Sequence, residues 1–461
     1  MKKWLMMWAL AAQGLAIPTP PAIGSPPPLP SLPAGSLPAP PAVPAQDSQA
    51  AQALSYETAP LLALANNPKV ASSLATVREA LAKTEVTAAP ARPQALLGLQ
   101  GPPIPVSETG SFRSDYVLSP IRLEFRQLIY DGGRIMAAID QGKSMARQQA
   151  LQAQVDWQEL YFQVRRSYLA TLTRQGDIAV AQQQVQLTKQ QLRQAQVRYQ
   201  VGMAPRGDVF SAELPVSQAE LMVQRKQAAY FKSQQELNQL LGLAMTTPLQ
   251  LDPPKLPVDQ LPDLDKCLSE ALSQRPALIA LDYQLQASLK AIEAGELDNS
   301  PYISVLLGAA GVSQGTQILT GPQYRGGFEV NWQFADGGKA AHLAEAARAV
   351  RDRNLALIQE KRRLVELEVR DAYRDLQVAV ETHTSEQLRV KQAKDSLRIA
   401  QAQYKAGMTN TYAVRQAQND YYETQLAEVQ AYYDYFLSLA RLDLACGRSG
   451  GTKVDTPWPE D

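Results

Sequence analysis

The side chains best suited to catalysis or metal binding are few and far apart in this chain of 461 residues. It has two histidines, His342 and His383, and two cysteines, Cys267 and Cys446, in no Ser/His/Asp or Cys/His arrangement of usable spacing. A lone helical histidine is more often a surface residue than a ligand. Two buried thiols are favoured over a disulfide, which stays open as an alternative. We therefore predict no catalysis, no metal site and no cofactor.

A second possible chemistry is phosphate binding, because an Asp-Gly-Gly triplet occurs twice. The two copies are Asp131, Gly132, Gly133 and Asp336, Gly337, Gly338. Neither a GxxxxGKS/T nor a GxGxxG pattern follows, so a phosphate loop is disfavoured. Each triplet separates an alternating segment from a long polar one, where Asp can cap the first helical N–H groups and Gly relieves the backbone. We predict that each triplet joins a strand to a helix.

Overall charge and the chain ends narrow the class of protein. Lys plus Arg and Asp plus Glu both number 45, so the net charge is zero, which argues against a nucleic-acid partner. Residues 1–16 combine Lys2 and Lys3 with a short apolar run, which predicts a secretory signal peptide too short to span a bilayer. Residues 17–53 are rich in proline and are predicted to be a disordered arm. Residues 448–461 are predicted to be a flexible tail.

The rest of the chain is an internal duplication. Asp131 and Asp336 lie 205 positions apart (336 − 131), and RYQVGM at 198–203 matches QYKAGM at 403–408 with the same offset. Upstream, Pro68 and Pro276 lie 208 apart (276 − 68), so a loop between Pro93 and Asp131 is three residues longer in the first copy. We predict a first repeat at 54–245, a Pro-rich connector at 246–262 and a second repeat at 263–447. Each has an opening helix (roughly 56–88 and 264–297), two strands and a long helical hairpin.

Each repeat contains a segment in which apolar and polar residues alternate. The apolar positions are Ile121, Leu123, Phe125 and Ile129 in the first repeat and Phe328, Val330, Trp332 and Phe334 in the second. The polar positions include Arg122, Glu124 and Arg126 in the first and Arg325, Glu329 and Asn331 in the second. Such alternation over nine to eleven residues is typical of membrane strands with a polar lumen. An amphipathic sheet on a soluble core is the alternative.

Two segments are too long for helices of an ordinary globular domain. Residues 133–201 and 338–406 contain no proline, and about 70 residues of helix measure roughly 100 Å. Apolar residues recur every seven positions, as at Ile178, Val185, Leu192 and Tyr199, with many glutamines between them. An apolar seam this narrow fits a hollow ring in which each helix touches a neighbour on each side and water elsewhere. An ordinary coiled-coil rod is the alternative.

Each long helix ends in a short tip. VGMAPRGDVF at 201–210 and AGMTNTYAV at 406–414 place Gly202 and Gly407 at helix C-cap positions. A new helix then begins at Pro205 in the first tip and at Thr409 or Asn410 in the second. Pro215 is predicted to interrupt the first return helix and to kink it.

Taken together, these motifs resemble the TolC-like outer-membrane efflux protein family, also called outer membrane factors. The resemblance runs from about residue 54 to 447 and implies a mainly α fold with a transmembrane β-barrel portion. Three chains would form a homotrimer whose 12-stranded β-barrel continues as a long α-helical barrel. This implies an outer-membrane location with a large periplasmic portion, contact with outer-membrane lipid, and passive export of small molecules or proteins. A secreted coiled-coil scaffold or adaptor protein without a pore is the alternative.

The resemblance also implies roles for the tips, which would close the tunnel and bind a periplasmic adaptor that is itself bound to an inner-membrane transporter. The residues assigned to this gate and tip are Tyr199, Gly202, Arg206, Asp208, Tyr404, Gly407 and Thr409. Tyr404 matches the gate tyrosine of the family, and Asp208 matches an acidic constriction position. Thr409 replaces the basic gate partner, which puts a salt-bridge lock in doubt and leaves Arg206 as a substitute.

Overall fold

The computed structural model describes residues 52–99, 117–255, 261–314 and 322–448. The predicted signal peptide, the predicted arm up to residue 51 and the tail from residue 449 lie outside these residues. The same is true of much of the loop between Pro93 and Asp131, so its extra length in the first repeat stays a prediction.

A short strand precedes the helices of each repeat, and each repeat ends with a helical hairpin. The first consists of β1 (Gln52–Leu54), α1 (Thr58–Asn66), α2 (Pro68–Ala88), a 3-10 turn (Ala89–Ala91), β2 (Gln94–Leu99), β3 (Val117–Tyr130), α3 (Arg134–Gln200) and α4 (Arg206–Leu241). The connector and second repeat consist of β4 (Leu249–Leu251), α5 (Leu264–Gln274), α6 (Pro276–Glu296), β5 (Tyr302–Gln314), β6 (Pro322–Asn331), α7 (Lys339–Lys405) and α8 (Thr411–Ala445). The duplication is confirmed, since α3 and α7 both have 67 residues and α2 and α6 both have 21.

The single helix predicted to open each repeat is wrong, because a proline divides it. A break precedes Pro68 in the first repeat and Pro276 in the second. The preceding residues, Asn67 and Arg275, have extended backbones with ψ of 127° and 119°. Proline disfavours the α conformation in the residue before it, while it is itself well suited to the first position of a helix.

The predicted interruption at Pro215 is also wrong, because α4 continues through it from Arg206 to Leu241. Proline removes only one N–H donor from the helix, and the next turn is anchored by the buried side chains of Val216 and Ala219. Packing on this turn therefore outweighs the lost hydrogen bond.

Four strands form one antiparallel sheet in the order β2-β3-β5-β6, two from each repeat. The repeats meet at the β3–β5 pair, where Phe125 lies opposite Leu307 and Glu124 lies opposite Gly308. Within the described residues, β2 and β6 are each paired on one side only. Both edges of the sheet therefore carry unpaired backbone N–H and C=O groups.

Two details of the predicted strands need correction. The register of β3 breaks between Leu128 and Tyr130, so Ile129 lies in a bulge and does not continue the apolar alternation. Strand β6 ends at Asn331, so Trp332 and Phe334 lie beyond it. Their rings are exposed and meet edge to face with centroids 6.1 Å apart.

A second, two-stranded sheet was not predicted. β1 pairs in parallel with β4, so the predicted arm is wrong in including residues 52 and 53, and the connector contains a strand. Tyr168 of α3 supports both strands, since its hydroxyl lies 2.6 Å from the carbonyl oxygen of Leu54 and 2.8 Å from that of Asp252. Burial raises the pKa of Tyr168 to about 12, so this hydroxyl stays a donor.

Each repeat has its own apolar core on its long helix. The first core joins α1, α3, α4 and the two-stranded sheet around Val164 and Leu237. The second joins α5, α7 and α8 around Val369 and Leu442. Because α3 also packs along α6 and α8, the two repeats form one continuous helical layer. The helices of the described segments contain no stretch long and apolar enough to cross a membrane.

Candidate functional site

The four-stranded sheet brings the predicted polar residues of both repeats to one face. They are Arg122, Glu124, Arg126, Arg325, Glu329 and Asn331. The register shows this directly, because Glu124 lies opposite Gly308, which lies opposite Arg325. Residues directly opposite on neighbouring strands share a face, and successive residues alternate. We call this side of the sheet the polar face.

The other side of the sheet, the apolar face, is uncovered. Large side chains on it are strongly exposed, including Leu97 (64 %), Phe125 (47 %), Tyr324 (81 %), Phe328 (80 %) and Val330 (65 %). A soluble antiparallel sheet buries its apolar side against a core, and monomeric soluble proteins rarely expose a large contiguous apolar surface. The soluble-core alternative therefore does not account for this sheet.

An ion-pair network crosses the polar face near the joints. One nitrogen of the Arg126 guanidinium lies 3.4 Å from a carboxylate oxygen of Glu124 and 3.6 Å from one of Glu329. Asn331 donates from Nδ2 to the other Glu329 oxygen at 2.9 Å. The hydroxyl of Ser304, which is almost fully buried, lies 3.5 Å from Glu329. Both carboxylates therefore share one arginine as their cationic partner.

The two Asp-Gly-Gly joints have the same geometry. In each, one carboxylate oxygen accepts from the N–H two residues on, and the other accepts from the N–H four residues on. The N–O distances are 3.0 and 2.7 Å for Asp131 and 2.9 and 2.8 Å for Asp336. The hydrogen bond from the Ala340 N–H, followed by that from Gly338, lowers the pKa of the Asp336 carboxyl.

The glycines of the joints have backbone conformations that L side chains rarely adopt. The φ angles of Gly132, Gly133, Gly337 and Gly338 lie between 66° and 92°. At the first joint space is also limited, because a Cβ on Gly132 would lie 2.6 Å from the Cβ of Ser300. Two glycines in sequence therefore allow the sharp turn from strand to helix.

Asp298 connects the two joints across the repeats. One carboxylate oxygen lies 2.8 Å from Lys339 Nζ and the other lies 3.4 Å from an Arg134 guanidinium nitrogen. Lys339 and Arg134 are the first residues of the two long helices. The hydrogen bond from Lys339 lowers the pKa of Asp298, which stays ionised and holds the two helix starts together. Sequence reasoning missed this residue, because it lies outside both triplets.

The tips are two helical hairpin ends. Gly202 and Gly407 have φ of 73° and 74°, and nothing lies within 4 Å of a Cβ built on either. In each, the following N–H bonds back to the helix, at 2.8 Å for Met203 and 2.9 Å for Met408. In the second tip Asn410 is the cap, since its side chain accepts from the Ala413 N–H at 3.1 Å.

Two of the predicted gate residues, Tyr404 and Arg206, contact residues that were not assigned to the gate. The guanidinium of Arg198 lies 4.4 Å from the ring centroid of Tyr404, which packs on the small cluster of Leu397 and Val414. Arg206 instead lies over the ring of Phe210, at 5.3 Å. In the described part of the chain, the side chains of Tyr199, Asp208 and Thr409 form no ion pair or hydrogen bond with another predicted gate residue. The gate assignment stays a prediction.

A stripe of exposed apolar residues runs along α7 and was not predicted. It consists of Leu343, Val350, Leu357 and Leu364, which are seven residues apart and 37–44 % exposed. Where α7 packs against helices of its own chain, it uses other residues, such as the buried Val365. The sevenfold spacing was the signal that sequence reasoning could have used. Among the described residues, the stripe is an exposed apolar helix seam.

A buried arginine links the N-terminal part of the first repeat to the last helix. Arg165 lies 3.0 Å from Glu57 and 3.6 Å from Asp443, and its guanidinium lies over the rings of Tyr56 and Tyr161 at 4.5 and 4.6 Å. Burial raises the pKa of Asp443. Sequence reasoning missed Arg165, because an arginine in a polar helix normally faces water.

The cysteines are both free and buried, which confirms the favoured prediction. Burial raises the pKa of the Cys446 thiol to about 12, so it is an unreactive thiol. Arg448 donates to Cys267 and to Glu270, so the predicted tail is anchored at its first residue. Over residues 52–99, 117–255, 261–314 and 322–448, no group of three His, Cys, Asp or Glu side chains could hold a metal ion.

The chain is similar in sequence and in fold to known proteins. The model of a family described as outer membrane efflux protein matches residues 59–243 and 267–448, which are the two repeats. The chain is 23 % identical over 336 residues to protein CyaE of Bordetella pertussis, covering 70 % of this chain and 71 % of CyaE. It is 23 % identical over 333 residues to the outer membrane efflux protein BepC of Brucella suis, covering 71 % and 72 %. It shares the fold of a Pseudomonas aeruginosa membrane protein, with a TM-score of 0.73, 19 % identity, and coverage of 85 % and 90 %.

Proposed function

This chain belongs to the outer membrane efflux protein family, and we propose that three copies of it form one passive export conduit. The chain is an outer-membrane export channel, with a β-barrel portion and a large periplasmic helical portion. In the proposed assembly the cargo comes from an inner-membrane transporter and a periplasmic adaptor. No catalytic step is part of the proposal, because the chain only supplies a water-filled path.

The observation that carries this proposal is the four-stranded sheet, which has one exposed apolar face, one charged face and, within the described residues, two unpaired edges. Four strands cannot enclose a pore, whereas three copies joined edge to edge would close a 12-stranded barrel. The apolar face then contacts lipid, and the polar face lines water. The resemblance of the chain to efflux channels supports the same arrangement.

The seam on α7 supports the trimer. Leu343, Val350, Leu357 and Leu364 repeat every seven residues and are exposed, as required for packing against a helix of a second copy. We expect Leu357→Lys to weaken the trimer, because it places a charge in that seam. Gln359→Lys is the matched control, since it lies two positions along the same helix and is exposed on another side. Size-exclusion chromatography with light scattering in detergent gives the readout. Equal trimer content in both variants would contradict a role of the seam.

The tips are proposed to bind the adaptor. Gly202 and Gly407 are exposed, and both turns have open space around them. We expect Gly202→Val and Gly407→Val to leave membrane insertion intact and to reduce binding of a periplasmic adaptor protein, because Val strains the positive-φ turn. Fractionation and co-purification measure the two effects. Failure of these variants to reach the membrane would contradict the tip assignment.

The decisive experiment is conductance across a planar lipid bilayer by the purified protein. Phe328→Lys and Gly327→Lys form a matched pair, since the residues are neighbours on β6 and face opposite sides of the sheet. A lysine on the lipid side of a membrane barrel costs about 2–4 kcal/mol near the midplane, whereas one in the lumen is solvated. We expect Phe328→Lys to insert poorly and Gly327→Lys to form channels. Absence of channels in the wild type, or equal insertion of both variants, would refute the membrane assignment.

A further inference from the structure

The charges on the polar face are unevenly distributed along the strands. Near the joints, Glu124, Arg126 and Glu329 form the ion-pair network. Arg122 lies farther from the joints, and Arg325 lies in the same row as Glu124 with Gly308 between them. Both arginines are exposed, and neither has a carboxylate within 4 Å in the part of the chain that the structure describes. The polar face therefore has a network of one arginine and two carboxylates and, outside it, two guanidinium groups without a carboxylate partner among the described residues.

The positions opposite these arginines explain why they stay unpaired. Arg122 lies opposite Gly98 on β2 and Ala310 on β5, and Arg325 lies opposite Gly308 on β5. A Cβ built on Gly98 would lie 3.8 Å from the Arg122 Cβ, and one built on Gly308 would lie 4.0 Å from the Arg325 Cβ. Opposite-charge pairs in sheets form mainly between such facing positions. Because these facing positions hold glycine or alanine, none of them supplies a carboxylate to the guanidinium groups.

The nearest carboxylates already bond to other residues of the polar face. Glu124 follows Arg122 on the same face, but its side chain bonds to Arg126, and Glu329 bonds to Arg126, Asn331 and Ser304. The described polar-face residues therefore carry three arginines and two glutamates, a net charge of +1 per chain (3 − 2). The uncompensated charge lies at Arg122 and Arg325.

We propose that Arg122 and Arg325 make the barrel lumen selective for anions, so that the channel favours cargo with carboxylate or phosphate groups over cationic cargo. The proposal rests on the proposed function, since it takes the polar face as the lumen wall. Two guanidinium groups per chain become six in the trimer, and rings of Arg or Lys select anions in other pores. The effect depends on salt, because the Debye length is about 30 Å at 0.01 M and about 3 Å at 1 M.

The test is the reversal potential of single channels in planar bilayers of zwitterionic phospholipid across a KCl gradient. The variants are Arg122→Gln/Arg325→Gln, the charge-preserving Arg122→Lys/Arg325→Lys, and Arg78→Gln as control. Arg78 is an exposed arginine of α2, outside the sheet. We expect the chloride-to-potassium permeability ratio at about 0.01 M to fall at least about twofold in the Gln variant. It should stay unchanged in the Lys and Arg78 variants, and the difference should vanish near 1 M.

For a fourth variant we expect the opposite change in the chloride-to-potassium permeability ratio. Glu329→Gln removes one of the two carboxylates on Arg126, so the permeability ratio should shift further toward chloride. A ratio that is unchanged in the Arg122→Gln/Arg325→Gln variant, while channels still form, would overturn the anion proposal and leave the proposed function intact. Absence of any wild-type channel would instead overturn the proposed function itself.

Discussion

Glycines that follow helix ends differ in how tightly they are packed, and this difference predicts a graded loss of stability. Gly242, Gly447 and Gly202 all have φ between 72° and 76°, so any alanine there has the same backbone strain. That strain is about 1–2 kcal/mol for an L residue in the left-handed region. A Cβ on Gly242 would also lie 2.7 Å from the carbonyl oxygen of Asn66. A Cβ on Gly447 would lie 3.3 Å from the Cα of Arg275, and one on Gly202 would meet nothing within 4 Å.

The contact of the added Cβ with its neighbours, unlike the backbone strain, differs among the three substitutions. The atoms that face Gly242 belong to backbone, which cannot rotate away, and overpacking of this kind typically costs a further 1–3 kcal/mol or so. Asn67, the next residue after Asn66, also donates from its side chain to the Leu240 carbonyl at 2.8 Å, which holds the two segments together. We therefore expect a loss of roughly 2–5 kcal/mol for Gly242→Ala, less for Gly447→Ala, and about 1–2 kcal/mol for Gly202→Ala.

The assay is thermal unfolding of the purified variants in detergent, followed by circular dichroism at 222 nm, at one fixed protein concentration. Because the chain has several packed units, the order of the midpoints is the quantity to compare. The midpoint should fall most for Gly242→Ala, less for Gly447→Ala and least for Gly202→Ala. Equal midpoints for Gly242→Ala and Gly202→Ala would show that the contact with Asn66 contributes nothing and would refute the packing argument.

Three further predictions concern the joint, the gate and the thiols. We expect Asp336→Ala to loosen the second joint, which would be seen as faster proteolysis there. In the wild type the folded-state pKa of Asp336 is lowered, so its stabilisation of the joint is complete above pH 3.8 and is lost as the pH falls through the folded-state pKa. Acidification should therefore have the same effect as the substitution, and resistance to proteolysis at low pH would contradict this prediction. Asp208→Ala and Tyr404→Phe should raise single-channel conductance if these residues narrow the gate, and unchanged conductance in both would remove them from it. Cys267 and Cys446 should react with a maleimide only after denaturation, because both are buried; labelling of the native protein, checked by mass spectrometry, would show that this core opens.

Much of the fold could be predicted from local patterns. The duplication, the long helices and the strands that precede each Asp-Gly-Gly triplet were visible because each depends on residues within one segment. The errors have local causes as well. Pro68 and Pro276 divide helices that apolar periodicity alone joined, and the bulge at Ile129 interrupts a regular alternation. The two-stranded sheet was missed because β1 and β4 are three residues each and lie far apart in sequence.

The amino-acid sequence by itself determined the two repeats, the polar and apolar sides of each strand and the turn chemistry of the joints and tips. Only the tertiary structure decided that β3 lies beside β5, which brings the polar sides of both repeats to one face. It also decided that Asp298 links both joints and that glycines lie opposite Arg122 and Arg325. The physical reason is that periodicity depends on neighbours along the chain, whereas register and pairing depend on packing between residues up to two hundred positions apart.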